Sequence, residues 1–165
     1  MTSGGADGTA AAGGGTTAWS PVRPRRILTV CLGNHCRCPV AAAVLARRGG
    51  DTVEVRSAGI RDTWAGHPAH PAMIAAAGHG YNLANHRGTT VTLDLLAWAD
   101  VVLAMDNANL AALRDLLAAA PERTRITAEP VLYLGGREVP DPFGQDDEAF
   151  TACVRTIEAA AGHLP

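Results

Sequence analysis

Apolar residues along the chain fall into short runs separated by polar, glycine-rich and proline-rich stretches. Residues 27–31 (ILTVC) form an apolar run of strand length and predict a first strand buried on both faces. Pro39, suited to the first turn of a helix, opens VAAAVLARRGG, and Gly49 or Gly50 stops it. Residues 52–57 (TVEVRS) alternate as a second strand, and 68–80 (PAHPAMIAAAGHG) predict a helix with prolines near its start. Thr92 caps a short helix through Trp98, after which 101–105 (VVLAM) reads as a third buried strand. Asn107 is the expected N-cap of a helix carrying Leu110, Leu113 and Leu117 and ending near Pro121. Residues 131–134 (VLYL) make a fourth strand. Asp146 or Asp147 caps a last helix with Phe150, Val154 and Ile157 on its apolar face.

Strands alternating with helices imply βαβ units, hence an α/β fold with a four-stranded parallel sheet and helices on both faces. Residues 1–25 are rich in Gly, Ala, Thr and Pro and bury too little to offset their ordering entropy, so a flexible extension is expected, with Trp19 its one anchor. Residues 26–165 then form a single domain without repeat or linker.

Composition adds exclusions. The 14 cations against 16 anions leave no basic face for nucleic acid or an anionic membrane, and all 14 are Arg. Mechanisms that need a lysine amine are therefore excluded. No secretory signal or membrane-length apolar run is apparent, so a soluble cytoplasmic monomer with reduced thiols is the expectation. Three of the four cysteines fall between Cys31 and Cys38. A disulfide framework spreads its cysteines. A zinc site of Cys31, His35, Cys36 and Cys38 would lack paired CxxC spacing. Chemistry at one loop is the better account.

That loop, Cys31-Leu-Gly-Asn-His-Cys-Arg37-Cys-Pro39, lies between the first strand and first helix, where open α/β sheets bind ligands. Gly33 eases a tight turn. Backbone N–H groups and the helix start can cradle a tetrahedral oxyanion, and Arg37 offers a planar fork of donors. Those dipoles and that charge favour a thiolate at Cys31.

The segment resembles the low-molecular-weight protein tyrosine phosphatases, whose pattern Cys-x-Gly-Asn-x-Cys-Arg-[Ser/Thr]-Pro it matches at every fixed position but one. Ser57-Ala58-Gly59, His86-Arg87, Ala99-Asp100 through Met105-Asp106, and Val139-Pro-Asp-Pro-Phe-Gly144 follow in the family's order. The resemblance implies that Cys31 attacks phosphorus to give a cysteinyl-phosphate, while Asp141 acts as general acid and then as general base. It also implies that Arg37 and the loop from Leu32 through Gly33, Asn34, His35 and Cys36 to Cys38 hold the phosphoryl oxygens, with no metal or other cofactor. Ser57 and His86 would support the loop. Trp64 and Phe143 would wall a slot for a phosphotyrosine protein or a small aryl phosphate, with His35 beside it and Gly144 leaving the rim open. The second loop cysteine, Cys36, implies a reversible disulfide with the nucleophile, and Cys38, also near Cys31 in sequence, is the alternative partner.

Two departures stand out. Cys38 replaces the Ser or Thr that caps the helix and donates to the thiolate, which predicts slow breakdown of the intermediate. Gly88-Thr89 replaces Ala-Arg and removes part of a salt-bridge network. Cys153 reads as core, Asp106 as structural, Asp146 and Asp147 as cap and solvated charge, and His67, His70 and His79 carry no assigned chemistry. The competing functions are a thiol-dependent arsenate reductase, disfavoured because residues 52–150 contain no cysteine, and a phospho-ligand binding module that Cys38 has disabled as an enzyme.

Overall fold

A computed structural model describes residues 23–162. Most of the expected extension, including Trp19, lies outside the described residues. Four strands, β1 (Arg25–Cys31), β2 (Val53–Gly59), β3 (Val101–Ala104) and β4 (Val131–Leu132), form one parallel sheet in the order β2-β1-β3-β4. Five helices accompany them: α1 (Arg37–Gly49), α2 (Pro71–Ala77), α3 (Leu93–Trp98), α4 (Asn107–Ala118) and α5 (Asp147–Ala161).

Period-2 alternation divides the strands between two cores. Ile27, Cys31, Leu103 and Met105 face α1, α2 and α5, where Val40, Val44, Met73, Phe150, Val154 and Ile157 pack. Leu28, Val30, Val102 and Ala104 face α3 and α4, where Leu96, Leu110 and Leu113 pack. Burial on both faces is why these strands read as unbroken apolar runs. β1 has a neighbour on each side, so the chain leaves β1 toward one face and β3 toward the other. The crevice between their carboxyl ends is where such sheets bind ligands.

Several boundaries differ from the sequence expectation. β1 begins at Arg25, with Arg23 held in a bidentate pair by Asp100 (2.8 and 2.9 Å). β2 runs on to Gly59 because each residue from Val53 onward pairs with β1, ending at Cys31↔Gly59. α2 is shorter than 68–80. Pro71 occupies its first turn and holds His70 extended (ψ 133°), and the His70 ring caps the helix by accepting the Ala72 N–H (3.0 Å). α4 is capped by Asp106, not Asn107, through an Asp106 Oδ1 that accepts the Asn109 N–H (2.8 Å). β4 keeps two residues before the chain turns at Gly135, whose φ of +80° suits glycine.

Candidate active site

Residues 32–36 turn the chain from β1 directly into α1. Asn34 takes the left-handed conformation (φ +55°), which asparagine tolerates better than most residues. Its side chain ties three segments together. The Oδ1 atom accepts the Thr89 N–H (2.7 Å), and the amide donates to Ser57 Oγ (2.9 Å) and Cys38 Sγ (3.0 Å). His86 Nε2 meets the Asn34 carbonyl at 2.8 Å, and burial lowers the His86 pKa, so a neutral ring donating from Nε2 fits the pairing. Ser57 and His86 thus both contact the residue that shapes the turn. Gly59 lies flush beneath it, since a Cβ there would come within 2.7 Å of Gly33 C and 2.8 Å of Asn34 N.

Cys31 lies at the floor of a cavity of about 130 Å³ and is 2% exposed. Leu32, Gly33, His35, Cys36 and Arg37 line one part of that cavity, and Arg61, Thr63, Trp64, Asp141 and Phe143 line the other. A larger groove of about 870 Å³ between β4 and α5 contains no thiol or carboxylate. Arg37 is 3% exposed and fixed across the switch point: its NH1 donates to Asp106 Oδ2 (2.8 Å) and to the Val139 carbonyl (2.9 Å). Its NH2 stands 3.6 Å from Asp141 Oδ2 on the rim. Asp106 therefore both caps α4 and aims the guanidinium.

The four buried thiols have different acidities. Burial alone would raise the Cys31 pKa. The Cys38 thiol, the Arg37 charge and the Cys38 and Asn34 N–H groups outweigh it, lowering the value to about 6. Burial pushes Cys36 and Cys153 up to about 12, and burial beside the Cys31 thiolate also raises Cys38. At neutral pH the thiolate is Cys31. Accordingly kcat/KM is expected to fall about tenfold per unit as pH drops below about 6, on the acid limb of a pH–rate profile of the free enzyme.

His35 and Trp64 stack face to face (centroids 4.0 Å apart, planes 4° apart), with Phe143 6.1–6.2 Å from both. Trp64 lies so close to the loop that a Cβ on Gly33 would reach within 2.6 Å of its ring. Gly88 explains how: it exchanges backbone hydrogen bonds with the 66–67 segment, and a Cβ there would collide with the Trp64 carbonyl. Gly88→Ala should displace Trp64 and raise KM several-fold with little change in kcat for p-nitrophenyl phosphate.

The profile of the low molecular weight phosphotyrosine protein phosphatase family matches residues 26–165. The chain belongs to this family. It is 35% identical over 136 residues to the low molecular weight protein-tyrosine-phosphatase Etp of Escherichia coli K12, an alignment covering 82% of this chain and 88% of the relative. It is 31% identical over 141 residues to a protein-arginine-phosphatase of Geobacillus stearothermophilus, covering 86% and 94%. Among solved structures, Vibrio vulnificus Wzb in complex with benzylphosphonate superposes with a TM-score of 0.74 at 30% identity, covering 84% of this chain and 95% of that one.

Three expectations for this phosphatase need correction or completion. The helix expected at Pro39 begins at Arg37, its N-cap is Cys36, and no side chain caps it. Cys38 sits inside the first turn, so no cap is lost by having a thiol there. At Gly88-Thr89 the loop support runs through the backbone, Thr89 N–H to Asn34 and Gly59 N–H to the Thr89 carbonyl (2.8 Å). His70, assigned no chemistry, places its ring edge-on to Phe143 (5.8 Å) and 5.2 Å from His35, behind the wall. Arg61 and Thr63, which sequence reasoning did not single out, line the cavity because β2 carries the chain over the loop: the Arg61 N–H donates to the Leu32 carbonyl (2.8 Å). Their position two and four residues past Gly59 was the available signal. Among the described residues no three His, Cys, Asp or Glu side chains converge as a metal ion requires, and no helix is long and apolar enough to cross a membrane.

Proposed function

We propose that this phosphatase hydrolyses phosphotyrosine or related aryl phosphate monoesters in the cytoplasm, as a monomer. The carrying observation is a lowered-pKa thiolate at the floor of a cavity with a buried, doubly anchored arginine beside it and Asp141 on the rim. Cys31 Sγ attacks phosphorus as the P–O bond to the leaving group breaks, and Asp141 gives that oxygen its proton. Water then attacks the phosphocysteine, Asp141 takes its proton, and Cys31 leaves as thiolate. Arg37 and the loop's N–H groups bind the equatorial oxygens, whose charge builds in each transition state. The rings of Trp64, His35 and Phe143 favour a flat aryl group over an alkyl ester.

The Cys38 thiol, 2.8 Å from Cys31 Sγ, takes the place of the hydroxyl found in the family pattern. A thiol is the weaker donor, so the departing thiolate of the second step is less well stabilised. A rapid burst followed by slower steady turnover is expected. Cys38→Ser should raise the steady rate about fivefold, the factor that about 1 kcal/mol of extra hydrogen bonding supplies. An unchanged or lower steady rate would remove this account of Cys38.

The functional test is hydrolysis of p-nitrophenyl phosphate, a phosphotyrosine peptide and a phosphoarginine peptide, with and without EDTA, alongside arsenate consumption with a thiol donor. Aryl ester turnover insensitive to EDTA supports the proposal. Preference for phosphoarginine moves the substrate class, arsenate consumption without ester hydrolysis favours the reductase, and vanadate binding without turnover favours the binding module.

A further inference from the structure

The segment that carries Asp141 is anchored at both ends. The Val139 N–H donates to the Met105 carbonyl (2.8 Å), and the Val139 carbonyl accepts from Arg37 (2.9 Å). At the other end Asp146 caps α5 by accepting the Ala149 N–H (3.0 Å). Between these anchors the hydrogen bonds stay inside the loop. Gln145 donates from Nε2 to the Asp141 carbonyl and from its N–H to the Pro142 carbonyl (both 2.9 Å), and the Phe143 N–H donates to Asp141 Oδ1 (3.1 Å). Besides the Arg37 guanidinium, 3.6 Å from Asp141 Oδ2, it is the Phe143 ring that ties the middle of the loop to the rest of the molecule. That ring is 51% exposed, and among the described residues its aromatic neighbours are His35, Trp64 and His70. Of the three, His70 is the one that also packs on α5: its ring lies 4.7 Å from that of Phe150, a core residue 2% exposed.

His70 is itself held from two directions. Its N–H donates to the His35 carbonyl in the phosphate loop (3.0 Å), and its Nδ1 accepts the Ala72 N–H at the start of α2 (3.0 Å). Those two bonds fix the plane of the ring. Phe143 stands edge-on to it, with centroids 5.8 Å and planes 89° apart, the perpendicular arrangement that aromatic pairs favour. Capping alone does not call for a ring here, since asparagine or aspartate would accept the Ala72 N–H as well. We infer that His70 is a positioning residue for the general acid: its ring fixes Phe143, and the Phe143 N–H fixes the Asp141 carboxylate over the cavity. That role rests on Asp141 being the general acid of the proposed mechanism. The effect is large because a reacting group misplaced by about 1 Å can cost about 10²-fold in rate.

Capping and ring packing are separable by substitution. His70→Asn keeps an acceptor for the Ala72 N–H and removes the ring, whereas His70→Phe keeps a ring and removes the acceptor. The full-length protein is assayed with p-nitrophenyl phosphate and phenyl phosphate, and kcat/KM is compared, because it reports P–O cleavage even where breakdown of the intermediate limits turnover. Both esters bring a phenyl ring to the wall, so a change in binding alone moves them together. Loss of the proton donor sets them apart, since phenolate is the more basic leaving group. His70→Asn is expected to lower kcat/KM about tenfold with phenyl phosphate and at most about twofold with p-nitrophenyl phosphate, a part of the roughly 10²–10⁴-fold that a general acid supplies. Its thermal midpoint should stay near that of the wild type. In an Asp141→Asn background the same substitution should cost at most about twofold with either ester, because the two residues act through one carboxylate. His70→Phe should hold the wild-type ratio between the esters even if its thermal midpoint falls, and it carries the test if His70→Asn does not fold. No loss or equal losses with the two esters, an undiminished loss in Asp141→Asn, or a ratio disturbed in His70→Phe would overturn the inference. Failure of the general-acid reading shows separately, as Asp141→Asn itself losing both esters equally.

Discussion

Cys31→Ser is expected to lower kcat for p-nitrophenyl phosphate by at least about 10⁴-fold, the scale on which removing an enzyme's nucleophile acts. The serine is nearly isosteric, and the sheet register that places residue 31 opposite Gly59 does not depend on sulfur. Its hydroxyl would meet the same Arg37 charge and the same N–H groups of Asn34 and Cys38 that acidify the thiol. An alcohol starts far higher in pKa, so those groups cannot leave it ionised at neutral pH. Phosphate or vanadate affinity should survive, because Arg37 keeps its anchors on Asp106 and Val139. Loss of turnover with retained oxyanion binding and an unchanged thermal midpoint is the signature. Loss of binding as well would mean that the loop had collapsed.

Asp141→Asn should lower kcat by about 10²–10⁴-fold, the range for a positioned general acid, by an amount that depends on the leaving group. p-Nitrophenolate departs without much need of a proton, whereas the alkoxide-like oxygen of phenyl phosphate or phosphotyrosine does not. The loss should therefore be smallest with p-nitrophenyl phosphate and grow as the leaving group becomes more basic. Geometry supports the assignment: Asp141 lines the Cys31 cavity and lies 3.6 Å from Arg37 NH2, and its Oδ1 accepts the Phe143 N–H (3.1 Å), which fixes the carboxylate at the rim. Pro140 and Pro142 flank it and restrict the backbone. Equal losses across a leaving-group series would show that Asp141 acts on Arg37 and not on the departing oxygen.

Much of this arrangement was legible in the sequence, for identifiable reasons. β1 and β3 announced themselves because strands buried on both faces leave short apolar runs rich in β-branched residues, β2 showed itself by alternation, and the switch point followed from the βαβ order. Cys31, Arg37 and Asp141 were singled out by motif spacing, and the structure brings all three to one cavity. What the sequence did not show was mostly carried by backbone groups. The Val139 carbonyl that holds Arg37, and the Thr89 N–H that holds Asn34, can belong to any residue type. The start of α1 was misplaced because proline marks a good first-turn position without showing how many residues precede it, and that error made Cys38 look like a failed cap. The role of Gly88 was hidden for a related reason: its value lies in the Cβ it lacks against the Trp64 carbonyl, a contact across a loop that periodicity does not report. His35 and Trp64, far apart in sequence, stack only because that loop folds back.

The central claim is that Cys31 carries the phosphoryl group between the two steps. Rapid chemical quench of the protein with p-nitrophenyl phosphate, followed by peptide mass mapping, tests it most directly. A transient phosphoryl adduct on the peptide containing Cys31 is predicted, formed within the burst, absent from Cys31→Ser and shorter-lived in Cys38→Ser. Steady hydrolysis with no such adduct, or an adduct on any other residue, would contradict the account.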